Sequence, residues 1–264
     1  MTNQLSKMAG AHLKPLAELK PRTDLIIDVW GPEGSGKTAF GASAAGKRGL
    51  FYQTLEPRRS NDTLRKVVAK PGELVVGEYE SEVPPTVDRT QEAKVQEFFK
   101  PQLSRFKNDL AQALKLGAGV ITWDKAIDLW EVMRYAHFGK LAKVMQLKYG
   151  PANSEFVDLV SLPARYGASL IMINESEDEW VDGPPSADGQ RTRQSSGRQT
   201  RSAQSKTGYL TDISLRMFKV VKPSLKFYAE ITECKSAPEY IDTVLENPTF
   251  AEVATMVRPD VVWE

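Results

Sequence analysis

Cysteine, histidine, long apolar runs and excess charge are all scarce in this chain. A single cysteine, Cys234, excludes an internal disulfide framework, and two histidines with no second cysteine argue against a structural zinc site. A reducing compartment is the expectation. No apolar stretch approaches the roughly 20 residues that span a bilayer, and the opening "MTNQLSKMAGAHLKPLAELKPR" lacks the continuous apolar core of a signal peptide. A soluble, cytoplasmic protein with no membrane partner is therefore expected. Thirty-five Lys and Arg stand against 34 Asp and Glu, so no global charge advertises nucleic acid, and any basic site must be local.

What is present is the composition of an ordinary globular domain: 264 residues, 41% hydrophobic and 26% charged, with no internal repeat. Short apolar runs that read as strands, 24–30, 49–57, 117–124 and 168–175, alternate with helical stretches. Between 88 and 117 the residues Val95, Phe98, Phe99, Leu103, Phe106, Leu110 and Leu114 recur at three- and four-residue steps, the mark of an amphipathic helix, bent near Pro101. The alternation predicts an α/β fold with a mostly parallel sheet. Residues 182–208 carry no aromatic and no aliphatic larger than alanine and read as a long mobile loop. After them "DISLRMFKV" and "LKFYAEITEC" read as a late β-hairpin, and residues 1–22 as an N-terminal arm or tail preceding a domain over 23–264.

One motif carries chemistry by itself. Gly31, Pro32, Glu33, Gly34, Ser35, Gly36, Lys37 and Thr38 match G-x-x-x-x-G-K-[ST], with a strand before them and a first helix in "TAFGASAAGK" after; with Ala39 they are the candidate nucleotide-binding residues. Such glycines let backbone N–H groups turn inward around a phosphate, with help from the helix N-terminus; Lys37 would reach the outer phosphate oxygens and Thr38 would ligate Mg²⁺. The loop needs a second anchor for the metal, and Asp124, closing the apolar run "VITWD", stands where one is required; an N-cap role for the helix after it is compatible. Hydrolysis also needs a group to activate water, and Glu56, at the end of "FYQTLEP", is the candidate.

In this order of parts the chain resembles the RecA-like ATPases, and most closely the short phage-encoded proteins of the single-strand annealing and recombinase type. The resemblance rests on "WGPEGSGKTAFGASAAG", "ITWDKAIDLWEVMR", "YGPANSEFVDLV", "LIMINESEDEWVDG" and "ECKSAPEYIDTVLENPTFAEV". It implies a RecA-like core with helices on both faces of the sheet, ATP and Mg²⁺ as cofactors, and single-stranded DNA as partner. It also implies a homo-oligomer, filament or ring, working beside a single-stranded-DNA-binding protein in the cytoplasm of a bacterial host. On it, Asn174 senses the γ-phosphate, the segment 182–208 contacts DNA through Arg191, Arg193, Arg198, Arg201 and Lys206, and Lys235 reaches the phosphate of a neighbouring subunit. Trp123 beside Asp124, and Asn rather than Gln at 174, depart from the family's usual residues. Two other readings share the loop: a nucleotide or nucleoside kinase, with Glu56 of "LEPRR" as base and "DRT" at Asp88 as an acid–arginine pair, and a ring-forming helicase or partner-loading ATPase.

Overall fold

The computed structural model describes residues 22–46, 48–68, 74–140, 146–185 and 191–263. The N-terminal arm, apart from Arg22, and Asp188 of the basic segment lie outside them.

The architecture is α/β. Five parallel strands form the first part of the chain: β1 (Ile26–Gly31), β2 (Leu50–Thr54), β3 (Leu74–Glu78), β4 (Val120–Asp124) and β5 (Ser169–Pro185). They are joined through the helices α1 (Lys37–Ala42), α2 (Pro57–Val67), α3 (Glu92–Lys115), α4 (Ala126–Phe138) and α5 (Gly150–Arg165). Then come β6 (Arg191–Ser202), α6 (Thr207–Leu210), β7 (Ile213–Val220), β8 (Lys226–Cys234), β9 (Val244–Glu246) and α7 (Phe250–Val257). The sheet order is β3-β2-β4-β5-β1-β7-β8-β9, parallel through β7 and antiparallel from β7 to β9, with β6 paired to β5.

Alternation along the strands divides the core in two, because successive side chains point to opposite faces. Ile27, Val29, Ile171, Ile173 and Leu215 pack with Phe40 of α1, Leu64 of α2 and Phe250 of α7. Ile26, Leu170, Met172 and Trp123 pack with Phe99, Phe106, Leu129 and Phe156 of α3 to α5. Helices therefore cover both faces, and β7–β8 forms the late hairpin. Gly41 lets α1 lie on the sheet, since a Cβ there would sit 2.9 Å from the Thr122 methyl.

Several features differ from the sequence-based expectation, among them the short strand β9 and helix α6. β3 is an additional edge strand; its residues are largely exposed, so it has no apolar alternation to betray it. More consequentially, 182–208 is not one loop. β5 runs on past Asn174 to Pro185 and pairs antiparallel with β6, from Glu175 opposite Ser202 to Pro185 opposite Arg191. Apart from the adjacent, exposed Trp180 and Val181 the ladder is polar and shows no apolar alternation, so hydrophobic periodicity cannot detect the arm that the two strands form.

Candidate nucleotide site

The carboxyl ends of β1, β2 and β4 meet β5 at Glu175 in a cavity of about 570 Å³ lined by Glu33 to Ala39, Glu56, Arg59, Ser60, Asp124, Lys125, Glu175 and Phe227, among others. Gly31, Gly34 and Gly36 have φ of 152°, 68° and 94°, values that L side chains rarely adopt, so the loop's path depends on its glycines. At Gly31 a Cβ would also collide with the Met217 carbonyl of β7. The Lys37 ammonium is buried and donates to the carbonyl oxygens of Gly31 at 2.7 Å and Pro32 at 2.8 Å. Burial lowers its pKa, the fields of Glu175 and Asp124 opposing this. The Ser35 hydroxyl oxygen is buried without a hydrogen-bond partner. α1 has only six residues, so the loop's own amides rather than a long helix dipole must supply most of the polarity.

Asp124 is nine-tenths and more buried, and its Oδ2 accepts hydrogen bonds from the hydroxyls of Tyr52 at 2.7 Å, Ser60 at 2.9 Å and Thr38 at 3.1 Å. Burial raises its pKa, the three hydroxyls pulling it back down. Thr38 and Asp124, the two expected metal ligands, are thus in direct contact. Among the described residues no group of three His, Cys, Asp or Glu side chains is placed to hold a metal ion. A hard cation here would take one hydroxyl and one carboxylate from the protein and its other oxygens from phosphate and water, the habit of Mg²⁺. The residues present fit that ion and a polyphosphate. Asp124 does not cap α4: that helix starts at Ala126 with Lys125 as its N-cap and no side-chain cap.

Glu56 lines the same cavity, held by Lys125 Nζ at 2.7 Å. The same ammonium reaches Glu175 at 2.8 Å. Burial opposes the charge on Lys125, but its bonds to Glu175 and Glu56 outweigh this and keep its pKa above that of a free lysine. Arg59 crosses the cavity mouth to Glu33 of the loop at 2.8 Å.

Other expected residues lie elsewhere. Asn174 does not line the cavity. It points to the opposite face, where its amide donates to Asp28 at 2.7 Å, and the next residue, Glu175, reaches the cavity instead. Trp123 also points away, buried against Phe106 with its indole N–H on Gln53 at 3.0 Å, so it does not crowd the site. Arg201 is no solvent-facing phosphate contact: its guanidinium pairs with buried Asp28 at 2.9 Å and lies 3.5 Å from Glu233. Lys235 follows antiparallel β8 to the end of the sheet opposite the loop, where it donates to the Tyr209 carbonyl at 2.5 Å and sits over that ring. Lys206 is exposed beside α6, and Arg198 is exposed on β6. Arg191 and Arg193 belong to β6, whose partner strand holds Glu175, Glu177, Asp178, Glu179 and Asp182. The apparent basic loop is therefore one half of a hairpin whose other half is acidic.

Tyr52, Ser60, Lys125, Glu175 and Phe227 are the site residues that motif reasoning missed. Strand parity could have offered Tyr52, which shares a face with Asp124's neighbour Thr122. Phe227 comes from β8 and packs 3.0 Å from where a Cβ on Gly36 would stand, a contact no local pattern announces. No protein-family model matches the chain, and no curated protein is significantly similar to it. Among the described residues no helix is long and apolar enough to cross a membrane.

Proposed function

We propose that the protein is a Mg²⁺-dependent ATPase of RecA-like type that binds single-stranded DNA and acts, as a homo-oligomer, in phage-type recombination or strand annealing. The observation that carries the ATPase half is the meeting of Lys37, Thr38, Asp124 and Glu56 in one cavity at the strand ends. In this reading the loop amides and Lys37 hold the β- and γ-phosphates, and Thr38 and Asp124 hold the metal. Bound Mg²⁺ supplies neutralisation of the charge that develops on the phosphates. Glu56 orients a water and takes its proton. Lys125, bridging Glu56 and Glu175, fixes the carboxylate at the cavity wall. The DNA half rests on the sequence resemblance, as does a cross-subunit role for Lys235.

A second reading, phosphoryl transfer to a small acceptor, is favoured by one observation. A polar cavity of about 660 Å³ adjoins the first, sharing Glu56, Arg59 and Lys125 and adding Glu80, Glu82, Asp128 and Glu131. An acceptor hydroxyl seated there would find Glu56 as its base.

The test is the release of inorganic phosphate from ATP with and without single-stranded DNA and no other acceptor. Stimulated hydrolysis supports the first reading; turnover only when a nucleoside or nucleotide is added supports the second. Lys37→Ala is expected to abolish nucleotide binding in either case, and unaltered binding would remove the site. Glu56→Gln is expected to keep ATP bound and slow its cleavage by roughly 10²–10⁴-fold.

A further inference from the structure

The β5–β6 arm, expected from the sequence to hold DNA, sets its arginine-bearing strand against an acidic one: Gln199 donates to Asp178 at 2.5 Å, Ser196 to Glu179 at 2.7 Å, and position 193 pairs in register with Asp182. A nucleic-acid surface needs uncompensated cations for the backbone and, for single strands, flat groups for the bases. Both occur on the neighbouring hairpin. From Arg216 to Tyr228 the sequence RMFKVVKPSLKFY has four cations and no carboxylate.

The two faces of that hairpin differ. Met217, Lys219 and Phe227 turn toward the phosphate loop; Phe227 lines the nucleotide cavity, and Lys219 Nζ comes within 3.1 Å of a Cβ built on Gly34. Arg216, Phe218, Tyr228 and Lys226 turn the other way. The core on that side ends at β1, for the cluster formed with α3, α4 and α5 includes no residue of β7, β8 or β9. On this outer face Phe218 and Tyr228 stand opposite each other as a stacked pair, centroids 5.5 Å apart and planes 18° apart, with the Arg216 guanidinium 5.7 Å over Phe218. Arg216 and Lys226 are paired with Glu230 and Glu246, each at 2.8 Å. Lys219 and Lys222, both exposed at the tip, have no ion pair among the described residues.

We propose that the outer face of β7–β8 is a single-stranded-DNA site, on which bases stack against the Phe218–Tyr228 pair while Lys222 at the tip meets the backbone. The assignment rests on the DNA-binding half of the reading above and moves its location from the arm to this hairpin. It also gives a direct route between ligands, because the strands that present the rings on one face present Lys219 and Phe227 to the nucleotide on the other.

The experiment is a fluorescence-anisotropy titration of a labelled 30-mer of deoxythymidylate over a series of salt concentrations, with a fluorescent ATP analogue titrated in parallel. Phe218→Leu and Tyr228→Leu keep apolar bulk but cannot stack. Each is expected to weaken DNA binding by roughly tenfold with the salt slope unchanged and nucleotide affinity intact. Phe218→Tyr should restore parental affinity. Lys222→Gln should reduce the salt slope by about one. If the parent binds the oligonucleotide and the leucine variants bind as tightly, the site is not here and the DNA-binding reading survives. Losing binding only through a changed salt slope also overturns the stacking site, since the rings would then merely place the cations. If the parent fails to bind DNA even at low salt, the DNA-binding reading and this site both fall.

Discussion

Two carboxylates are buried on the strands that flank β5, on opposite faces of the sheet, and they are satisfied in opposite ways. Asp28 of β1 and Asp124 of β4 are 0% and 4% exposed, and burial raises the pKa of both. Asp28 meets the Arg201 guanidinium at 2.9 Å, the Asn174 amide at 2.7 Å and the Ser214 hydroxyl at 3.2 Å. Its countercharge is internal. Asp124 meets only three neutral hydroxyls and has no ion pair among the described residues. Removing a charge from water without a counter-ion is expensive, so the two sites differ in kind: Asp28 is a closed structural joint, while at Asp124 the described residues supply hydrogen bonds but no countercharge. That joint ties the root of the β5–β6 arm to the strand that leads into the phosphate loop.

The largest effect should come from breaking the closed joint. Arg201→Met strands the Asp28 charge in the core and is expected to cost about 3–5 kcal/mol, read as a lowered urea midpoint. Adding Asp28→Asn should recover a large part of that loss, because the stranded charge is gone. A single variant as stable as the parent would show that the pair carries no such charge. The same result makes Arg201 a poor choice for mapping DNA contacts, since its loss would act through the fold.

At the open carboxylate the expectation reverses. Asp124→Asn should leave stability near the parent's or raise it, while Mg²⁺-dependent nucleotide affinity falls at least tenfold, toward the value measured with a chelator present. Asp28→Asn should leave that affinity alone. Equal losses of nucleotide affinity in the two variants would erase the distinction.

The same contrast explains what the sequence made legible. The phosphate loop and Asp124 could be read because each is announced locally, by glycines between a strand and a helix and by an acid closing an apolar run. The α/β alternation was equally local, and so was the β7–β8 hairpin. The joint at Asp28 was not, for Arg201 stands 173 positions along the chain from its partner. Asn174 and Glu175 show how narrow the margin is: both end the same apolar run, and strand alternation alone decides which one faces the cavity. Lys125 bridges Glu56, just past the end of β2, and Glu175, within β5, acids that meet only because the ladder brings β2, β4 and β5 together. The arm is not legible because its ladder, Trp180 and Val181 aside, is polar and has no apolar alternation.

Asp128, on the first turn of α4, is a half-buried carboxylate and the intermediate case. Burial pushes its pKa up to about 7; the charge on Lys125 opposes this, while Glu131, Glu56 and Glu175 reinforce it. Its ordinary value is 3.8, so the folded state holds the proton more tightly than the unfolded chain does. Stability from this group is therefore fully present below about pH 4 and is lost as pH rises toward 7. Asp128→Asn cannot ionise and escapes that loss. The variant should match the parent near pH 4 and exceed it above pH 7, by roughly 2–4 °C in Tm for each kcal/mol recovered. Thermal melts at the two pH values are sufficient. A difference that stays constant across them would mean that Asp128 is charged throughout, with Lys125 serving it as fully as Arg201 serves Asp28.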